Sequence, residues 1–280
     1  MLESIDVSVA NGKIDWVKVA AAGISFVYVK ATDGVNYIDP TFFTNAKGAL
    51  AAGLPVGAYH YLKVRHGKAQ DAQKQALQYC EAYVKAGCTL VPALDCEDAT
   101  NKDATPDEWL EAIRTWVAVV EDELGCKPLL YTYPGFWGSL GPKMNLPEFG
   151  ELKLWIAHYT TAPKPMMVKP WTSWFMWQYA ASAGVFGRVD GVSTYVDRNR
   201  CVGTLDDLLV NPSKKEETTV PEEPVASTEE PKAEPVIETP APIVVAPPAP
   251  VQPPVQQGSG LLQVIMLIIN AILSSLGMKR

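Results

Sequence analysis

The first 210 residues predict an α/β barrel, and three observations carry that expectation. Short apolar runs alternate with helix-like stretches throughout the span. Several runs, such as Phe26-Val27-Tyr28-Val29 and Leu90-Val91-Pro92-Ala93-Leu94, are apolar without interruption, as strands are when both faces of a parallel sheet are covered. All 8 Trp, 11 Tyr and 7 Phe lie at or before Cys201, so the material for a core is confined to this span.

In chain order, strands are expected at Ser4–Val9, Ser25–Ala31, Pro55–Tyr61, Leu90–Leu94, Pro128–Thr132, Lys153–His158, Phe175–Tyr179 and near Ser193–Val196. Helices are expected at Trp16–Ala22, Phe42–Ala52, Lys68–Ala86 and Pro106–Leu124. The third repeats Ala69, Ala72, Ala76, Tyr79 and Tyr83 at helical spacing. The fourth opens on Thr105-Pro106-Asp107-Glu108, which supplies an N-cap, a proline at the first position and acids in the first turn. The later strands leave little room for helices between them, so the second half is expected to be mostly strand and loop.

The remaining chain reads differently. Residues 211–260 hold 12 of the 23 Pro, 8 Glu against 3 Lys and no aromatic residue, which predicts an extended, disordered linker. Residues 261–280 are apolar up to Lys279–Arg280. As a helix, residues 261–278 would reach about 27 Å, close to the thickness of a bilayer hydrocarbon core. Gln263, Asn270 and Ser274 form a narrow polar stripe, so a bacterial membrane is the expected partner and oligomerisation the competing reading.

Composition excludes some classes. The net charge is −7 with a pI near 5.1, and no Lys/Arg-dense stretch offers a nucleic-acid face. Five cysteines cannot all pair, and no cationic, apolar leader precedes Leu2–Val9, which predicts synthesis in a reducing cytoplasm with free thiols. No CxxC pair, histidine cluster or Gly-rich phosphate loop occurs, so no metal or cofactor is expected, and His60, His66 and His158 are expected to pack or hydrogen-bond.

The chemistry concentrates at strand ends. The run 90–94 stops abruptly in Asp95-Cys96-Glu97-Asp98. Residues two apart on a strand face the same way, so Asp95 and Glu97 share a face at the carboxyl end, where barrels keep their active sites. Close carboxylates repel, leaving one acid and one anion at neutral pH, as glycosidic cleavage requires. A solvated acidic loop would carry the same letters. Asp6 lies in the first strand and Asp197 near the last, and the first and last strands of a barrel are neighbours. Aromatic residues recur at similar positions: Tyr59, Tyr61, Tyr131, Tyr133, Trp137, Trp155, Tyr159, Trp177 and Tyr179. Their flat faces suit sugar rings, although a share of them must fill the barrel.

The motifs Ile5-Asp6-Val7-Ser8, Gly12-Lys13-Ile14-Asp15-Trp16, Phe26 to Gly34, Asn36 to Pro40, Gly57-Ala58-Tyr59-His60-Tyr61, Leu94-Asp95-Cys96-Glu97, Leu154 to Tyr159, Trp177-Gln178-Tyr179 and Val196-Asp197-Arg198-Asn199 follow one another in order. Together, residues 2–209 resemble the glycoside hydrolase family 25 muramidases, the Chalaropsis-type lysozymes. The resemblance implies an irregular TIM-like barrel of eight strands and five helices, and hydrolysis of the β-1,4 bond between N-acetylmuramic acid and N-acetylglucosamine in peptidoglycan, as in a phage-type endolysin. It places the acid on Glu97 and its partners on Asp95, Asp6 and Asp197. Asp95 is expected either to orient the 2-acetamido group or to act as nucleophile. Tyr59, Tyr61, Tyr131, Trp155, Tyr159, Trp177 and Tyr179 are the expected sugar contacts. Asp33 stands where glutamate is commoner in the family, and Arg198 interrupts the last motif. A non-catalytic wall-binding or phage structural protein on the same fold is the alternative.

Overall fold

A computed structural model describes residues 1–68, 71–101, 103–181 and 187–210. The linker and the apolar segment expected at 211–260 and 261–280 lie outside the described residues, as does Ala69.

Eight strands close a barrel in sequential order. They are β1 (Leu2–Val7), β2 (Phe26–Asp33), β3 (Val56–Tyr61), β4 (Ala93–Asp95), β5 (Leu129–Thr132), β6 (Leu154–Ala157), β7 (Met176–Ala180) and β8 (Asp197–Cys201). The principal helices are α1 (Trp16–Ala21), α2 (Phe42–Ala51), α3 (Asp71–Ala86) and α4 (Pro106–Leu124), followed by the short α5 (Pro134–Ser139) and α6 (Pro147–Gly150). After α4 no described helix exceeds six residues, so the second half is strand and loop.

Parallel pairing runs from β1 to β7, but β8 is antiparallel to both β7 and β1. A parallel return would need a crossover long enough for a helix, and the chain between Ala180 and Asp197 has none among the described residues. The last strand therefore lies at Asp197–Cys201 rather than near Ser193–Val196. The run 90–94 contributes a strand only from Ala93, since Pro92 lacks the N–H that a central ladder needs.

Strand alternation sorts the core into two layers. Phe26, Tyr28, Leu129, Trp155, Met176 and Cys201 pack together inside the barrel. Ile5, Val7, Val27 and Val29 face outward beneath helices that contribute Phe42, Tyr79, Trp109 and Trp116. Gly57 is dictated by this interior: a Cβ there would lie 2.4 Å from the Tyr28 ring, whose hydroxyl donates to the Val91 carbonyl at 2.9 Å. Helix α4 begins where its caps require, with Thr105 and Glu108 forming a reciprocal capping box and Gly125 ending it at φ 68°. All five cysteines are free thiols.

Candidate active site

The carboxyl ends of the strands surround two joined cavities. The inner one, of about 100 Å³, is lined by Asp6, Tyr59, Asp95, Glu97, Tyr131, Trp155, Gln178 and Asp197. The outer one, of about 660 Å³, is mostly apolar and is walled by Tyr133, Tyr159, His158 and Met166, among others. Glu97 and Tyr131 line both, so the cavities meet at these two residues.

Each acid is delivered by backbone geometry. Asp6 and Asp197 sit directly opposite one another in the antiparallel β1–β8 register. Asp95 ends β4, and Glu97 follows it by one alternation. The turn after Glu97 is held by Asn101, whose side-chain amide donates to the carbonyls of Glu97 (2.8 Å) and Leu62 (2.9 Å) and accepts from the Val64 N–H at 3.0 Å. On one flank Thr100 donates to the Tyr61 hydroxyl, and on the other the Tyr133 hydroxyl donates to Asp98.

Burial dominates the electrostatics. Asp95 is pushed well above the usual carboxylate range by desolvation and then by the charge of Glu97. Its Oδ1 has no hydrogen-bond partner among the described residues. Glu97 is also raised by burial, against the opposing charge of Lys30. Asp6 is raised to about 6 by burial, in spite of two side-chain amides that favour its charged form. Asp95 and Asp6 thus hold protons above the ordinary carboxylate range and Glu97 is shifted in the same direction, the direction that general acid work near neutrality requires.

Those two amides are themselves oriented. The Tyr131 and Tyr159 hydroxyls donate to Gln178 Oε1 at 3.0 and 2.6 Å, which leaves Gln178 Nε2 to donate to Asp6 Oδ2 at 2.9 Å. The indole of Trp155 donates to Asn199 Oδ1 at 2.8 Å, so Asn199 Nδ2 donates to the same oxygen of Asp6 at 2.8 Å. Two relays therefore fix one carboxylate oxygen.

Of the aromatics expected at sugar, the structure brings Tyr59, Tyr131, Trp155 and Tyr159 to the cavities. Tyr61 is buried beside them, its hydroxyl committed to Thr100 and its ring beneath the Lys30 ammonium at 4.9 Å. Trp177 and Tyr179 lie elsewhere. They flank Gln178 on β7, and since Gln178 points inward they point outward. Trp177 donates to the His158 carbonyl, while Tyr179 meets Glu3, Arg198 and Arg200 on the outer face of β1 and β8. Trp137 is core, donating to the Lys169 carbonyl. Gln178, Asn199 and Lys30 were not singled out from the sequence. The signal for Gln178 and Asn199 was parity, a polar residue alternating with residues that face away. The histidines each take hydrogen bonds: His60 to Thr32 and Gln75, His66 to Glu108 and His158 from the Met166 N–H.

The profile of the glycosyl hydrolases of family 25 matches residues 5–188. The chain belongs to that family. Lysozyme M1 of Streptomyces globisporus is 31% identical over 215 residues, covering 74% of this chain and 70% of that protein. An N,O-diacetylmuramidase of Chalaropsis sp is 24% identical over 151 residues, covering 51% of this chain and 72% of that protein. A crystal structure of the bacterial lysozyme from Streptomyces coelicolor superposes with a TM-score of 0.65 at 29% identity, covering 74% of this chain and 94% of that one. In this family-25 chain the profile match stops short of Asp197, which enters the cavity wall through the antiparallel β8, and of Asn199, which is buried behind it and bonds Asp6.

Proposed function

We infer that this family-25 protein is a peptidoglycan-cleaving muramidase and that Glu97 is its general acid. The observation supporting that role is position: Glu97 lies at the junction of the two cavities, where a glycan crossing from one to the other presents its glycosidic oxygen. Asp95 lines the inner cavity alone and acts on the sugar seated there, while Asp6 and Asp197 steady the positive charge that develops on that ring. The Tyr133, Tyr159 and Met166 walls of the outer cavity receive the adjoining sugar.

Purified peptidoglycan tests the assignment. Wild type is expected to release new reducing ends and Glu97→Gln to release none, with the variant's thermal stability retained. Comparable turnover by a folded Glu97→Gln protein would reassign the acid.

We further propose that residues 1–210 form the catalytic unit, that 211–260 are a spacer, and that 261–280 hold the enzyme at a bacterial membrane for lysis from within. No described helix is long and apolar enough to cross a membrane, and the segment concerned lies outside the described residues. Co-sedimentation with anionic vesicles, full chain against a chain ending at Gly260, tests the last point. Equal partitioning rejects it, and a fixed small oligomer without lipid supports self-association instead.

A further inference from the structure

A second polar cleft adjoins the active site and plays no part in the mechanism above. It holds about 540 Å³ and is lined by Asp33, Tyr37, Lys63, Arg65, Asp71 and Gln75, among others. Asp33 ends β2 and pairs in register with Tyr61 of β3, which pairs with Asp95 of β4, so the cleft begins two strands from the catalytic acids. One Asp33 oxygen meets Lys30 at 2.7 Å and the other meets Lys63 at 2.6 Å. Lys30 also lies over the ring of Tyr61 and acts on the charge of Glu97 and Asp95. The ion chain Lys30–Asp33–Lys63 therefore runs from the catalytic acids to the cleft.

The cleft is built rather than incidental. Gln75 of α3 clamps the Lys63 backbone, accepting from its N–H at 3.0 Å and donating to its carbonyl at 2.8 Å. Opposite, Gln78 accepts from the Asn36 N–H at 2.6 Å and donates to the Tyr37 carbonyl at 3.0 Å. Both loops are thus fixed to one helix. Gly34 lets the Lys63 stem lie across it: a Cβ there would be 2.8 Å from Lys63 Cδ.

The lining sets two acids, Asp33 and Asp71, against two cations, Lys63 and Arg65, and the flanking Lys30 and Lys74 tip the cluster to a surplus of two positive charges. A single carboxylate, Asp33, serves two lysines. Arg65 is exposed and takes no side-chain hydrogen bond or ion pair among the described residues. Asp71 stands 3.9 Å from Lys74, which neutralises it in part. A rigid cleft with surplus ammonium and guanidinium groups and an exposed Tyr37 face suits a short acidic peptide. In intact peptidoglycan the lactyl carboxyl of each muramic acid is taken up as an amide to the stem peptide, and that peptide bears the free carboxylates.

We propose that this cleft binds the acidic stem peptide of the muramic acid seated beside Glu97, with Arg65 and Lys63 taking its carboxylates. The proposal rests on the muramidase reading, and its test separates the two. Wild type, Arg65→Glu and Arg65→Lys are assayed on soluble glycan strands bearing stem peptides and on the same strands stripped of them by an amidase, with the lactyl carboxylates so freed capped as neutral methylamides. Arg65 is exposed and outside the catalytic cavities, so substitution there is not expected to affect folding. An exposed ion pair adds little and a charge-assisted hydrogen bond more, so Arg65→Glu should lower kcat/KM on peptide-bearing strands roughly five- to fiftyfold. The stripped strands should be cleaved equally by all three proteins, and Arg65→Lys should recover most of the loss. An equal loss on both substrates, or no loss on either, overturns the peptide site. Failure of wild type to cleave either substrate overturns the muramidase reading itself.

Discussion

Substituting Asp6 by asparagine should stabilise the fold at neutral pH while impairing it as an enzyme. Asp6 is 6% exposed, and its Oδ2 takes both N–H donors that reach the carboxyl, from Gln178 and Asn199. An asparagine with its carbonyl in that place keeps both bonds and turns its own NH2 into the cavity, so no buried donor is orphaned. What disappears is a buried charge. Asp6 is raised from 3.8 to about 6 by the fold, so the folded protein holds its proton more tightly than the unfolded chain does. The stability this contributes is complete below pH 3.8 and is lost as pH rises through about 6. At 1.36 kcal/mol per pKa unit, the wild type forfeits about 3 kcal/mol by pH 7 that the Asp6→Asn variant keeps. Asp95 and Glu97, both raised in part by the Asp6 charge, are eased in the same direction. For a domain near 200 residues this corresponds to roughly 6–12 °C in Tm. The assay is thermal unfolding of both proteins at pH 4 and pH 8 in matched ionic strength. The variant should melt close to wild type at pH 4 and well above it at pH 8. A gap independent of pH, or a variant less stable at pH 8, would refute the claim that Asp6 sits in a proton-retaining site.

Asp95→Asn should behave likewise, losing peptidoglycan hydrolysis while its melting temperature above neutral pH equals or exceeds wild type. A clear drop in that temperature would mean the carboxylate is a structural partner rather than a strained one. Gln178→Leu removes one charge-assisted bond from Asp6, worth about 1.5–3 kcal/mol, and should move the acid limb of kcat/KM upward by on the order of one pH unit. An unmoved limb with a uniformly lower rate would show that Gln178 only supports packing. Gly57→Ala should cost about 1–3 kcal/mol or more in denaturant unfolding, because its methyl group meets the Tyr28 ring. Pairing it with Tyr28→Leu should recover part of that loss, and an unchanged midpoint in the single variant would contradict the interior packing.

Local chemistry made some elements legible before any fold was known. Helix α4 begins and ends where its capping box and its glycine dictate, because both act within a few residues. Asp95 and Glu97 were legible as a pair because a two-residue spacing on a strand needs no partner to define a shared face. Parity was another matter. Trp177 and Tyr179 read as sugar contacts, yet a strand's two faces are equivalent in sequence until its neighbours choose one as the interior. β7 pairs with β6 and β8 so that Gln178 turns inward, and the aromatics follow to the outside. The reversed direction of β8 was equally hidden, since hydropathy has period but no sense of direction. Composition and spacing thus determined a barrel, its aromatic core and its acids. The neighbouring first and last strands already brought Asp6 and Asp197 together, but only the closure of eight strands decided their register and that tyrosine and tryptophan donors would orient the amides bound to Asp6. Those contacts join residues up to 193 positions apart, and no local preference of the chain encodes which of them will meet.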